Sequence, residues 1–144
     1  MASTVPFKLV TPTLVVFEGD AELVIVVTTE GEEGILPKHA PFLAALKPGV
    51  LRANVRSQAP DQGGTTSRLE LATSDGFMQA LPDRVTVLVD EAVSFEEVVV
   101  AEANAELSEA TERQKGAAPG SELYAREQAI VEFANAKLRL TGHR

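Results

Sequence analysis

Hydrophobic residues in the first 90 positions come in short β-branched runs cut by turn residues; after that the rhythm turns helical. Phe7–Val10 runs into Thr11 and Pro12, Leu14–Phe17 ends at Glu18, Gly19 and Asp20, and Glu22–Thr28 is bounded by the polar stretch Thr29–Gly34. Each predicts a strand. In Val50–Arg56, Leu51, Ala53 and Val55 alternate with Val50, Arg52, Asn54 and Arg56. A period of two marks a half-buried strand with one wet face. Gln58–Ser67, rich in Gly, Gln and Thr, predicts an exposed hairpin tip. Arg68–Thr73 and Phe77–Leu81 flank Ser74, Asp75 and Gly76, an Asp-Gly hairpin signal, and Val85–Val89 follows the Pro82-Asp83 turn. About seven or eight strands at this spacing predict a β-sandwich or flattened barrel.

From residue 91 to 115 there is neither Gly nor Pro. Ser94 and Glu97 fit a capping box, predicting a first helix to about Lys115, with Arg113 and Lys115 suiting its negative end. Gly116–Gly120 breaks it, and Ser121 caps a second helix to about Leu140. The expected architecture is α+β: an N-terminal antiparallel β-sandwich over residues 1–90, then a C-terminal antiparallel two-helix hairpin over 91–144. The contact faces of that hairpin are thin. The first helix offers Ala101, Ala103, Ala105 and Ala110, the second Leu123, Ile130, Phe133 and Ala134. An alanine seam gains little at roughly 25 cal/mol per Å², so the hairpin is expected to detach readily.

Composition narrows the function. The 144 residues are 44% hydrophobic and 24% charged, an ordinary globular mix. Thirteen basic against 21 acidic residues give a net charge of −8, without the basic footprint of a nucleic-acid binder. There is no cysteine, which excludes disulfides and thiolate metal sites, and two histidines make a histidine zinc site a poor fit. No apolar run exceeds Leu23–Val27, and Met1–Phe7 lacks the form of a signal peptide. The expectation is a soluble intracellular chain.

No catalytic signature is present: no phosphate loop, no H-E-x-x-H and no G-x-S-x-G. Gly31 to Gly34 encloses Glu32 and Glu33, which would repel phosphate. Glu30, Glu32 and Glu33 read as a solvated acidic turn or protein-contact loop, since nothing nearby supplies a base or an oxyanion donor. His39, between Lys38 and Ala40-Pro41, reads as a brace for a proline-rich turn. The acidic stripe Glu96, Glu97, Glu102, Glu106, Glu109 and Glu112 reads as a solvated helix face, or a contact for a basic partner.

The run from Thr29 to Arg52 contains Glu30-Gly31, Gly34-Ile-Leu-Pro37, His39-Ala-Pro41 and Leu46-Lys-Pro-Gly49. With Ser74-Asp75-Gly76-Phe77, Leu81-Pro82 and Val85–Asp90, it resembles the epsilon subunit of bacterial F-type ATP synthases, the mitochondrial delta counterpart. The opening strand Phe7–Pro12 also matches. The resemblance runs through the whole chain, most specifically to residue 90. It departs at Thr28-Thr29, where the family usually has a glycine before Glu-Gly, which implies a stiffer loop. It departs again at the first helix, where some members carry an ATP-binding Ile/Leu-Asp-x-x-Arg-Ala motif. Here Glu96 replaces the aspartate and Val99 the arginine. Of the second-helix arginines only Arg126 matches, with Glu132 and Phe133 at often basic sites.

The resemblance implies a non-catalytic rotor subunit without a cofactor, peripheral on the cytoplasmic face of the bacterial cell membrane. The sandwich would clamp onto the gamma subunit and rest on the c-ring through Glu30, Gly31, Glu32 and His39. The hairpin would regulate ATP hydrolysis when extended, bringing Arg126, Lys137 and Arg139, with Arg144, to an acidic segment of the catalytic beta subunit. Two alternatives stay open: a free-standing β-sandwich adaptor for another protein, and a small hydrolase built on Glu32 and His39.

Overall fold

The computed structural model describes residues 3–56 and 66–142, so the expected tip at Gln58–Ser67 lies largely outside the described residues, as does Arg144. Nine strands come first: β1 (Val5–Val10), β2 (Val15–Thr28), β3 (Gly31–Ile35), β4 (Phe42–Leu46), β5 (Gly49–Arg56), β6 (Thr66–Thr73), β7 (Gly76–Leu81), β8 (Arg84–Val89) and β9 (Ala92–Val93). Two helices follow, α1 (Val100–Lys115) and α2 (Glu122–Gly142). The strands neighbour one another in the order β1-β8-β7-β4-β2-β5-β6-β9; β3 pairs with β2, and β1 also pairs with β2. The sheet thereby folds over itself into a sandwich. Its pairings are antiparallel except β1 with β8, which run parallel.

Alternation sets the core. Leu9 sits opposite Val87 and Phe17, and Val87 opposite Met78; Leu9, Val87 and Met78 are fully buried, with Phe17 packed against them. In β5, Leu51, Ala53 and Val55 point into this core and Asn54 is exposed, as the period predicts. Val50 is also buried, because α2 covers it from the other side. Gly76 lets β7 approach β8, since a Cβ there would collide with the Leu88 carbonyl oxygen.

Three sequence expectations change. The runs Leu14–Phe17 and Glu22–Thr28 form one strand, because Gly19 and Asp20 keep their pairing with Phe7 and Pro6 across the expected turn. The polar stretch Thr29–Gly34 is a turn followed by β3, whose Glu32 and Glu33 pair with Val27 and Val26. The first helix starts later than its capping signal. Ser94 N–H does donate to Glu97 Oε1 (2.8 Å), but this closes only a 3-10 turn over Phe95–Glu97. Val98 and Val99 are extended, Val98 packs against the cluster beneath α2, and α1 begins at Val100. The second helix starts as expected, with Ser121 Oγ accepting from Tyr124 N–H (3.1 Å).

The hairpin seam is narrower than the alanine pattern suggests. Ala103 and Ala110 of α1 are buried and face α2, whereas Ala101 and Ala105 are exposed, as is Leu123. On α2, Phe133, Ala136 and Leu140 sit on Val50 and Ala72 of the sandwich. Phe133 and Leu140 are the two large side chains in that contact, each gaining about 1.5–3 kcal/mol on full burial.

Candidate interaction surfaces

The outer face of the sandwich carries an unbroken apolar row. Ala45 faces Phe77, Phe77 faces Leu88, Leu88 faces Val10, and Val10 faces Val15, so directly paired positions align one side chain from each of five strands. Phe77 is 59% exposed, Leu88 51% and Val15 49%; Leu43, two positions along β4 on the same face, is 72% exposed. The core row one position away, Ala44, Met78, Val87, Leu9 and Phe17, already satisfies the fold. A wet row of large hydrophobic groups on a strand face is the mark of a protein-binding surface.

The β2–β3 turn is stapled at both ends by Thr28. Its Oγ1 donates to the Gly31 carbonyl (2.7 Å) and accepts from Glu30 N–H (3.0 Å), while Gly31 takes a φ of 122° that a side chain would resist. Glu30 and Gly31 are exposed at this tip. Glu32 projects from β3 and accepts from Arg52 Nη2 of β5 at 2.6 Å, with its side chain 59% exposed. His39 lies in the following connection, where His39 N–H donates to the Leu36 carbonyl (3.2 Å) across Pro37 and Lys38. Lys38 holds a φ of 66°, as the third residue of a type II turn does. The His39 Nδ1 bonds the Ala40 carbonyl (2.8 Å) and the ring meets Phe42 edge-on at 6.0 Å. That is the bracing role read from sequence. Among the described residues no hydrogen bond or ion pair joins His39 to Glu32, so they form no acid–base pair.

The hairpin cations divide. Lys137 is engaged internally, its Nζ 2.6 Å from Glu106 Oε1 and 4.7 Å from the Phe133 ring centre. Arg126 and Arg139 are exposed and make no ion pair with the described residues. Further polar links went unread in the sequence. Arg113 Nε donates to Glu127 Oε1 across the hairpin (2.9 Å), and Lys47, from the β4–β5 turn, pairs with Glu132 of α2 (3.2 Å). Periodicity alone gives no signal for such partners, which depend on how the hairpin docks.

Between hairpin and sandwich lies a cavity of about 370 Å³ bordered by Asp75, Asp90, Glu91, Glu106 and Glu109. Its two cations, Arg113 and Lys137, are already committed to Glu127 and Glu106. This donor set does not fit a nucleotide triphosphate, which needs unpaired cations and no facing carboxylates. Among the described residues no acidic or histidine cluster is arranged to hold a metal, and no helix is long and apolar enough to cross a membrane.

Comparisons with known proteins agree with this picture. Residues 4–95 match the family model described as the ATP synthase delta/epsilon chain, beta-sandwich domain. The ATP synthase epsilon chain of Moorella thermoacetica is 33% identical over 135 residues, covering 94% of each chain. That of Magnetococcus marinus is 34% identical over 138 residues, 96% of this chain and 94% of the relative. The Chromobacterium violaceum epsilon chain is 42% identical over 89 residues, which is 62% of this chain and 59% of that one. Among solved structures, the Euglena gracilis mitochondrial ATP synthase (OSCP/F1/c-ring) contains a chain similar at a TM-score of 0.74 and 20% identity, over 97% of this chain and 82% of that one. A chain of the Tetrahymena thermophila mitochondrial central stalk and c-ring is similar at 0.62 and 16%, over 94% and 97%. These two likenesses speak to fold. With its sandwich matched by the family model and its whole length matched by epsilon chains, the protein belongs to the ATP synthase delta/epsilon chain family.

Proposed function

We propose that this chain, a non-catalytic central-stalk subunit of an F-type ATP synthase, couples rotation to ATP synthesis by seating its outer apolar row on the gamma subunit. The observation that carries the reading is the row itself: Phe77, Leu88, Val15 and Leu43 stay in water although the core row beside them is complete. A row of this kind favours a permanent partner over solvent. The β2–β3 turn and the His39 connection are assigned to the c-ring, with Glu30, Gly31, Glu32 and His39 offering polar contacts. Residues 1–90 then form the coupling body and 91–144 the regulatory hairpin, whose exposed Arg126 and Arg139 would meet the catalytic beta subunit when it extends. In this reading the complex, on the cytoplasmic face of the bacterial membrane, holds the chain there.

The test is co-purification from membranes. Tagged wild-type chain is expected to bring down the gamma subunit and the ATPase head, whereas a Phe77→Glu, Leu88→Glu double variant is expected to fold and lose both. Equal recovery with that variant would refute the assignment of the row.

A further inference from the structure

Cross-strand charges behave differently on the two outer faces of the sandwich. On the face made by β3, β2, β5 and β6 they close on one another: Arg52 on Glu32 at 2.6 Å, Arg56 on Glu22 at 3.1 Å and Arg68 on Glu70 at 3.2 Å. On the face that carries the apolar row they stay open. One step along the strands from that row, Leu43 faces Gln79, Gln79 faces Thr86, Thr86 faces Lys8 and Lys8 faces Glu18. Beyond this tier stand Arg84 at the start of β8 and Asp20 of β2. Lys8, Glu18, Asp20 and Arg84 are all exposed. They form no ion pair among the described residues, although Lys8 and Glu18 are directly opposed. The four line one open cleft of about 280 Å³. Their signs are sorted: the cations stand on β8 and β1, whereas both carboxylates stand on β2, two residues apart and so on one face. A line across the strands from β8 to β2 passes from positive to negative.

An apolar row attracts a partner but reads alike in either direction. We propose that this charged tier fixes the direction in which the gamma subunit lies on the row, and that it fits a gamma segment bearing a carboxylate over Lys8 and Arg84 and a cation over Glu18 and Asp20. The inference rests on the assignment of the row to gamma. Turned end for end, such a segment sets like charge against like, and the wrong placement is rejected. Because none of the four charges is held internally, a partner meets them without first breaking a pair. The cleft between them gives its side chains room to enter. Rim charges of this kind act on encounter and register and are screened by salt, while the apolar row supplies the lasting contact.

Reversing all four charges together, Lys8→Glu, Arg84→Glu, Glu18→Lys and Asp20→Lys, inverts the polarity and leaves the net charge at −8, so general repulsion cannot explain the result. Lys8→Glu and Glu18→Lys still oppose unlike charges, which spares the fold. Binding of the full chain to an ATPase head that contains gamma but lacks this subunit is measured at low and at high salt. The fourfold variant is expected to bind roughly tenfold more weakly than the parent at low salt, with the gap closing at high salt. Lys8→Gln with Arg84→Gln serves should the reversals disturb folding, and is expected to weaken binding less and to flatten its salt dependence. A folded fourfold variant that binds like the parent, or a loss that salt does not relieve, would overturn the polarity; so would an unchanged salt dependence in the glutamine pair. Phe77→Glu with Leu88→Glu, measured alongside, separates this from the row itself. Loss of binding there keeps the row even if the polarity falls, whereas undiminished binding removes the row.

Discussion

Arg113 Nε donates to Glu127 Oε1 at 2.9 Å; the residue that receives it is only 5% exposed, while the Arg113 side chain stays half in water. The asymmetry sets what each substitution does. Arg113→Ala strands a buried carboxylate, whereas Glu127→Gln leaves an arginine that water can still solvate. Arg113→Ala is expected to destabilise the hairpin by about 1–3 kcal/mol, discounted for the exposed guanidinium. Hydrogen exchange should then quicken in α1 and α2 and stay unchanged in β1 and β8. Replacing both residues by leucine should recover most of the loss.

Gly76→Ala addresses the sandwich. The added methyl would meet the Leu88 carbonyl oxygen, and backbone cannot step aside as a side chain can. The pairing of β7 with β8 must open, at an expected cost of about 2 kcal/mol or more, read as a fall in thermal midpoint. Gly120→Ala, in the break between helices, has open space but a φ of 84°, and is expected to cost about 1 kcal/mol.

Glu32→Lys tests the membrane-facing assignment. The substitution sets two cations against each other where Glu32 and Arg52 now pair at 2.6 Å, on a surface where such pairs contribute little to stability. The fold should survive with its melting temperature nearly unchanged. ATP-driven proton pumping in membranes carrying the variant is expected to fall. Unchanged pumping would remove Glu32 from the c-ring contact.

Truncation after Ser94 should leave a soluble sandwich that still binds gamma, since the large core lies wholly within the strands and the loss uncovers mainly Val50 and Ala72. Inhibition of ATP hydrolysis by the full chain is expected to be present but weak. Lys137 is held by Glu106, and acidic Glu122 and Glu132 stand among the cations of α2, while Glu127 is buried against Arg113. Each exposed pair contributes about 1 kcal/mol or less, and salt screens it. Comparing full-length and truncated chain in the reconstituted complex at two ionic strengths reads this directly. Equal rates at low salt would eliminate the inhibitory role.

Strands with a regular alternation were legible, and β5 and the pair β7–β8 fall close to where the pattern put them. Failures came where a neighbour outweighed local preference. Gly31 to Gly34 has little strand propensity, yet β2 supplies a ready edge and makes it one. Val98 leaves the helix that Ser94 and Glu97 announce because it has a better place against the cluster under α2. At the surfaces, the exposed tip at Glu30 and the His39 brace could be read from single residues and their turns. Lys47 with Glu132, and Phe77 with Leu88, acquire meaning only once strand register and helix docking are known.

The parallel contact between β1 and β8 ties the beginning of the chain to residues 85–88. Closure of the sandwich therefore waits for a segment that the ribosome delivers late. Until then β1 has β2 as its only neighbour, and the edge meant for β8 stands open, the condition in which nascent strands mispair. Loop closure over such a separation makes folding slow relative to a helical protein of equal size. The hairpin, built of contacts close in sequence, can form at once when it emerges. The hairpin thus pairs locally as soon as it is made, whereas β1, although it finds β2 early, must wait for β8 before the sandwich closes.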